Sequence, residues 1–260
     1  MNPVPDEPES PPPTEEPTPD VSARTDRWAH RRGEPRTFAA AWIVFLFTAA
    51  IVALGAGGSL GLVATDAYRT SARVLMVLAG VGVGVLWPLL RLSQEAPRHP
   101  ARAALRDLVL VLAPLQAIIW PQALPWMAAW PLEVVAALAG LFTAWALVVS
   151  GVLAMTLRGP VMPGVRAAVM IGLILAGMLT PGLRLLLGLP DELARRSRSP
   201  DVLLTATPIT GGWEIPTDRS WSGAAGDVSR AQWFAIAAVG VVGVGIWGIA
   251  AGVVRRREPA

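Results

Sequence analysis

The sequence predicts an all-α integral membrane protein, a polytopic bundle of about six transmembrane helices behind a disordered Pro/Glu-rich N-terminal tail. Three observations predict it. Long apolar runs recur through the 260 residues, most of them close to the ~20 residues a helix needs to cross a bilayer. Charge is scarce, at 16% of residues against roughly 25% in soluble domains, and mean hydropathy is +0.49. All 22 basic residues are arginines, and many of them flank the apolar runs.

Residues 1–20 hold eight prolines and six acids without a base. Such a stretch buries too little apolar surface to offset the entropy of ordering it, so disorder is expected. Residues 21–36 reverse the sign, with Arg24, Arg27, Arg31, Arg32 and Arg36 against Asp26 and Glu34. Residues 1–36 therefore read as a cytoplasmic tail ending in a basic juxtamembrane collar. They contain no apolar core of the signal-peptide kind.

Residues 37–187 are expected to hold five membrane helices. The first spans about 38–63 and the second about 71–90, joined through Asp66, Tyr68, Arg69 and Arg73. A polar loop with Arg91, Arg98, Arg102 and Arg106 follows. The third begins near Leu108, and its run to Trp120 is short of a bilayer core. It must either continue past Pro121 to about Trp126, kinked at Pro114 and Pro121, or end early with Pro121–Trp130 along the interface. Trp120, Trp126 and Trp130 cluster there, as interfacial indoles do. The fourth and fifth helices cover about 132–157 and 165–187.

Residues 188–231 form a hydrophilic extracytoplasmic loop, and residues 232–260 a sixth helix (about 233–254) with a basic tail. Within the loop, the acids Asp191 and Glu192 precede Arg195, Arg196 and Arg198, an order that suits a short helix and its dipole. Weak alternation from Val202 to Ile215 around Gly211-Gly212 permits a β-hairpin, demoted to an edge by Pro208 and Pro216.

Arginine placement sets the orientation. With both termini cytoplasmic, 14 arginines lie inside and 8 outside, which obeys the positive-inside tendency. A bacterial-type inner membrane fits this bias.

Lipid offers helices no hydrophobic drive to associate, so small residues that allow close packing mark helix contacts. Gly57/Gly61, Gly80/Gly84 and Gly172/Ala176 are such pairs. In the last helix Ala238, Gly245 and Gly252 recur at heptad spacing with Gly248 beside them. Packing inside the bundle is the expected use of this face; docking of a protein partner or a second copy is the alternative.

Chemistry is hard to find. With no cysteine and two histidines, His30 and His99, thiolate sites and intramembrane haem ligation are excluded. HExxH is absent. Ser150-Gly151 lacks the GxSG flank and a membrane histidine base of an intramembrane serine protease. The Gly55–Gly61 run lacks the lysine of a phosphate loop and breaks GxGxxG at Leu60. No catalytic residue, cofactor, metal or nucleic-acid partner is expected. Two polar features stand out. Glu133 and Arg184 fall at similar depth in the outer leaflet, where they form an ion pair or act apart, Glu133 capping its helix and Arg184 snorkelling. Trp213, Glu214, Asp218 and Trp221 form an outer-loop recognition surface, or else their indoles dip into the interface.

These readings point to a non-catalytic accessory or scaffold subunit of a membrane complex, its surroundings the lipid bilayer and a protein partner or second copy. The alternative is a permease-like component moving an apolar or lipid-like substrate with a separate ATPase.

Overall fold

A computed structural model describes residues 35–56, 65–94, 96–97, 99–158, 163–186, 202–217 and 227–255. Among them there is no strand. The acidic tail, Gly57 and Gly61, the charge-ordered segment at 191–198, and Asp218 and Trp221 lie outside the described residues.

The helices are α1 (Pro35–Ala56), α2 (Thr65–Val81), α3 (Trp87–Leu92), α4 (Pro100–Ile119), α5 (Leu132–Thr156), α6 (Pro163–Leu186), α7 (Val202–Thr205), α8 (Pro208–Glu214) and α9 (Arg230–Arg255). A π-turn at Gly82–Leu86 fuses α2 to α3, and a 3₁₀ turn at Trp120–Ala123 extends α4. Five helices are long and apolar enough to cross a membrane: Arg36–Gly55, Tyr68–Leu92, Pro100–Ala123, Leu132–Thr156 and Arg230–Gly252. The remaining long helix, α6, has a shorter apolar stretch at Gly164–Met178.

The third long helix corrects the expectation in a simple way. It gains its length at its start, entering at Pro100 instead of Leu108, and so carries Arg102, Arg106 and Asp107 inside the helix. Pro100 occupies the first turn, where a missing N–H costs nothing. Beyond the 3₁₀ turn the chain reverses in a compact loop. Ala129 sits at φ 50, and Trp130 N–H donates back to the Gln122 carbonyl at 3.1 Å. Trp126 is 77% exposed beside it.

The bundle is built around α5, 61% of whose apolar window is buried, against 17% for α9. α5 and α9 run in the same direction. Trp233 lies against Glu133 and Gly140, Gly240 against Ala144, Gly243 against Leu147, and Trp247 against Ser150 and Gly151. Gly243 is the close approach: a β-carbon there would meet Leu147 Cβ at 2.9 Å and the Val148 nitrogen at 3.1 Å. The π-turn makes a second one. A β-carbon on Gly82 would fall 2.5 Å from the Phe45 ring and 2.8 Å from Trp42, so α1 lies directly on that glycine. Trp42, fully buried, then spans to α4 and donates to the Val111 carbonyl at 3.2 Å.

Polar contacts divide between the two ends of the bundle. At one end Arg91 pairs with Asp107, Arg166 donates to the Leu92 and Gln94 carbonyls, and Arg158 donates to Ala250 O. At the other, Arg69 donates to Ala128 O, Arg73 to Pro216 O, and Trp233 to Glu133.

Candidate functional site

The segment Val202–Ile215, whose weak alternation permits a hairpin in the outer loop, is instead largely helical and is packed inside the bundle. Thr207 ends α7's turn in an extended conformation and its hydroxyl accepts from the Thr210 N–H at 3.4 Å, capping α8, with Pro208 at the first helical position. Gly211 and Gly212 are therefore not turn residues. They are contact points, since a β-carbon on Gly211 would meet Leu141 at 2.6 Å and one on Gly212 the Met76 carbonyl at 3.0 Å. Backbone amides that a sheet would have paired are satisfied within the short helix. Glycine serves close approach here, which alternation patterns cannot distinguish from a turn.

Three long helices report how far this α7–α8 elbow penetrates. The Pro208 carbonyl lies where a Gly80 β-carbon would stand, 2.5 Å away. Gly80 is 12 residues, about 18 Å, from the start of the 25-residue span Tyr68–Leu92, and so halfway along it. Trp145, midway along α5, donates from Nε1 to the Ala206 carbonyl at 2.9 Å. A β-carbon on Gly177 of α6 would lie 4.0 Å from the Ile209 side chain. The chain therefore descends to the middle of the bundle and α8 climbs back beside α2, where Arg73 receives it. That guanidinium donates to Pro216 O at 2.8 Å and stands 5.9 Å over the Trp213 ring. On the α9 side, Gln232 donates to the Thr205 hydroxyl at 3.2 Å. Non-helical backbone at such depth is tolerated only where protein or water satisfies it, and here Trp145 donates to the Ala206 carbonyl and the Thr210 hydroxyl to the Leu204 carbonyl.

Trp213 and Glu214, assigned to an outward recognition surface, thus divide. Trp213 is 43% exposed at the end of α8, whereas Glu214 is 8% exposed and faces the packed interior. Glu133 lies in the first turn of α5, where an acid complements the helix dipole, and accepts from Trp233 Nε1 at 3.3 Å. Arg184 belongs to α6, with its side chain outside the described residues. Ser150 is committed to packing: its hydroxyl donates to Leu147 O and accepts from Trp247 Nε1 at 2.9 Å.

The small-residue face of α9 also departs from the expected packing. Ile236, Gly240, Gly243, Trp247 and Ala250 face α5, while Ala238, Gly245, Gly248 and Gly252 lie on roughly the opposite side and are exposed. Among the described residues no atom comes within 4 Å of a β-carbon built on Gly245, Gly248 or Gly252. Gly172 is equally open, but Gly80 is fully used by Pro208.

Sequence reading missed one buried constellation. Arg91 and Asp107, 3% and 1% exposed, form a two-pronged ion pair, with Arg91 Nη2 to Asp107 Oδ1 at 2.8 Å and Nε to the second oxygen. Gln94 Oε1 accepts from Arg91 Nη1 at 2.6 Å, and the guanidinium carbon stands 5.7 Å over the Phe38 ring. The depth argument that aligned Glu133 with Arg184 would have aligned these two as well, had the third helix been started at Pro100. Among the described residues no group of three His, Cys, Asp or Glu side chains could hold a metal ion.

Among the described residues the chain is an all-helical bundle with five helices long and apolar enough to cross a membrane and a helical elbow packed between them, an architecture compatible with a multi-pass membrane protein. The chain matches no protein-family model, no curated protein and no solved structure.

Proposed function

We propose that this chain is a non-catalytic accessory or scaffold subunit of a membrane complex, docked to a partner membrane protein or a second copy through α9. The observation that carries the reading is the exposed α9 face of Ala238, Gly245, Gly248 and Gly252, where among the described residues nothing comes within 4 Å of a β-carbon on any of the three glycines. In lipid, small residues allow the close backbone approach that holds helices together. Its companion face already performs that role on α5, which leaves this one for a second helix.

In this reading α6 also crosses the membrane as the fifth span, its 24 residues bringing the crossings to six with both termini cytoplasmic. Arg91, Arg158 and Arg166 gather at one end of the bundle, which supports placing that end on the cytoplasmic side of a bacterial-type inner membrane. Arg69 and Arg73 at the other end are engaged with backbone carbonyls.

A second reading, a permease-like component driven by a separate ATPase, draws support from the elbow of α7 and α8. Broken helical segments that reach the bilayer midplane are a recurring feature of transporter substrate sites. The separating experiment is affinity purification of the full chain in a mild detergent with mass spectrometry, comparing wild type with Gly248→Leu and with Val44→Leu on the exposed side of α1. A stoichiometric membrane partner or dimer lost only in Gly248→Leu supports the subunit reading. A stoichiometric ATPase retained in all three supports the permease reading instead. A monomeric, partner-free wild type defeats the docking proposal.

A further inference from the structure

A cavity of about 370 Å³ opens between α1, α2 and the end of α4, lined by Ala50, Ala53, Leu75, Ala117, Tyr68 and Gln122 among others. Its depth follows from the helices. Ala117 lies six residues, about 9 Å, before the end of the span at Ala123, and Leu75 seven residues, about 10 Å, from Tyr68. The cavity thus occupies the half of the bundle nearest the Trp120–Trp130 loop, with Ala117 and Leu75 reaching farthest toward the centre and Ala53 and Gln122 near the rim. Its volume is that of a small-ligand pocket, and its wall is almost wholly apolar.

Gln122 does not belong in such a wall without a partner. The side chain is 2% exposed, and its amide donates to the Ile118 carbonyl at 3.1 Å. Its Oε1 is buried and receives no hydrogen bond among the described residues. A buried acceptor without a donor carries its full desolvation penalty. An apolar occupant alone would leave that penalty in place; one bringing a hydroxyl or amide N–H would remove it once the Gln122 side chain turns its enclosed oxygen toward the cavity.

We propose that this cavity binds a single-chain, lipid-like amphiphile carrying a hydroxyl or amide donor, its chain inserted toward Ala50 and Leu75 and its donor placed on Gln122 Oε1. The polarity gradient of the cavity matches such a molecule standing as lipids stand in a leaflet. This site rests on the cavity and Gln122 alone and does not depend on how α9 is used.

The test uses the full chain in amphipol, with monoolein as a hydroxyl-bearing probe and methyl oleate as its donor-free counterpart. Lipid retained after gel filtration and the shift in Tm are the readouts. Wild type is expected to retain about one monoolein per chain and to hold it about tenfold more tightly than methyl oleate, the factor of one buried hydrogen bond. Gln122→Leu should fold and erase the preference. Ala117→Phe, and independently Ala50→Phe, should exclude both probes by filling the cavity. Equal retention of the two probes by wild type overturns the role of Gln122. Retention unaltered by both Phe variants, or no retention by wild type, overturns the site.

Discussion

Arg91 and Asp107 stand 16 residues apart in the chain and meet in a buried, two-pronged ion pair that ties the end of α3 to the first half of α4. Its position explains how α4 accommodates charge. The acid enters the helix already matched by a base from the preceding span, with the Gln94 amide oxygen accepting a further hydrogen bond from the guanidinium. Each group alone would be a desolvated charge; together they fix the register of two neighbouring helices.

Breaking this pair should therefore be costly. Asp107→Ala leaves Arg91 buried and unpaired and is expected to lower stability by about 3–5 kcal/mol in an SDS-unfolding titration. The double variant Arg91→Met/Asp107→Leu should recover most of that loss. If the double variant is as unstable as the single one, the pair is needed for its specific geometry and not only for charge balance.

The elbow offers a sharper test because the chain has no cysteine to interfere. A cysteine placed at Ala206 should be shielded from a membrane-impermeant maleimide, since the turn lies halfway down α2 and α5. Adding Gly80→Leu removes the space occupied by Pro208 O and should expose that cysteine. Equal labelling with and without the Gly80 substitution would place the elbow elsewhere.

Trp145→Phe keeps an aromatic ring in place but deletes the bond to Ala206 O along with the pyrrole half of the indole. The turn carbonyl then loses its donor, at about 1–2 kcal/mol, with the same rise in labelling at position 206 to a smaller degree. Ser150→Ala, which removes a bond between α5 and α9, should cost much less, about 0.6 kcal/mol, as interhelical hydrogen bonds in membranes do.

Two glycines of α9, five residues apart, should behave in opposite ways. Gly243→Leu drives a side chain into Leu147 and the α5 backbone and should destabilise the isolated chain by about 1–3 kcal/mol. Gly248→Leu meets nothing and should leave the melting temperature of the isolated chain unchanged. Detergent-solubilised size and melting curves of the two variants measure this directly.

The long helices were legible in the sequence because one strong physical demand wrote them there. A spanning segment must satisfy every backbone group internally while showing lipid apolar side chains, so length and hydropathy suffice to find it. The runs at 132–157 and 233–254 coincide with α5 and α9 to within about three residues at each end. The entry of α4 was not legible, because hydropathy counts Asp107 as a break when Arg91 has in fact matched it. The same limit concealed the elbow. Thr207-Pro208 reads locally as a helix start, yet Gly211-Gly212 reads as a turn, and only contact with Leu141 and Met76 decides between them.

The sequence by itself thus determined the class of structure: apolar helices of spanning length and the arginines at their ends. Tertiary structure alone decided which of the two small-residue faces of α9 meets α5, where Gly80 receives a carbonyl, and that Arg91 finds Asp107. Hydropathy is a sum over single residues and survives in any arrangement of the helices. Close approach and charge matching are relations between residues far apart in the chain, and they exist only once the helices are placed.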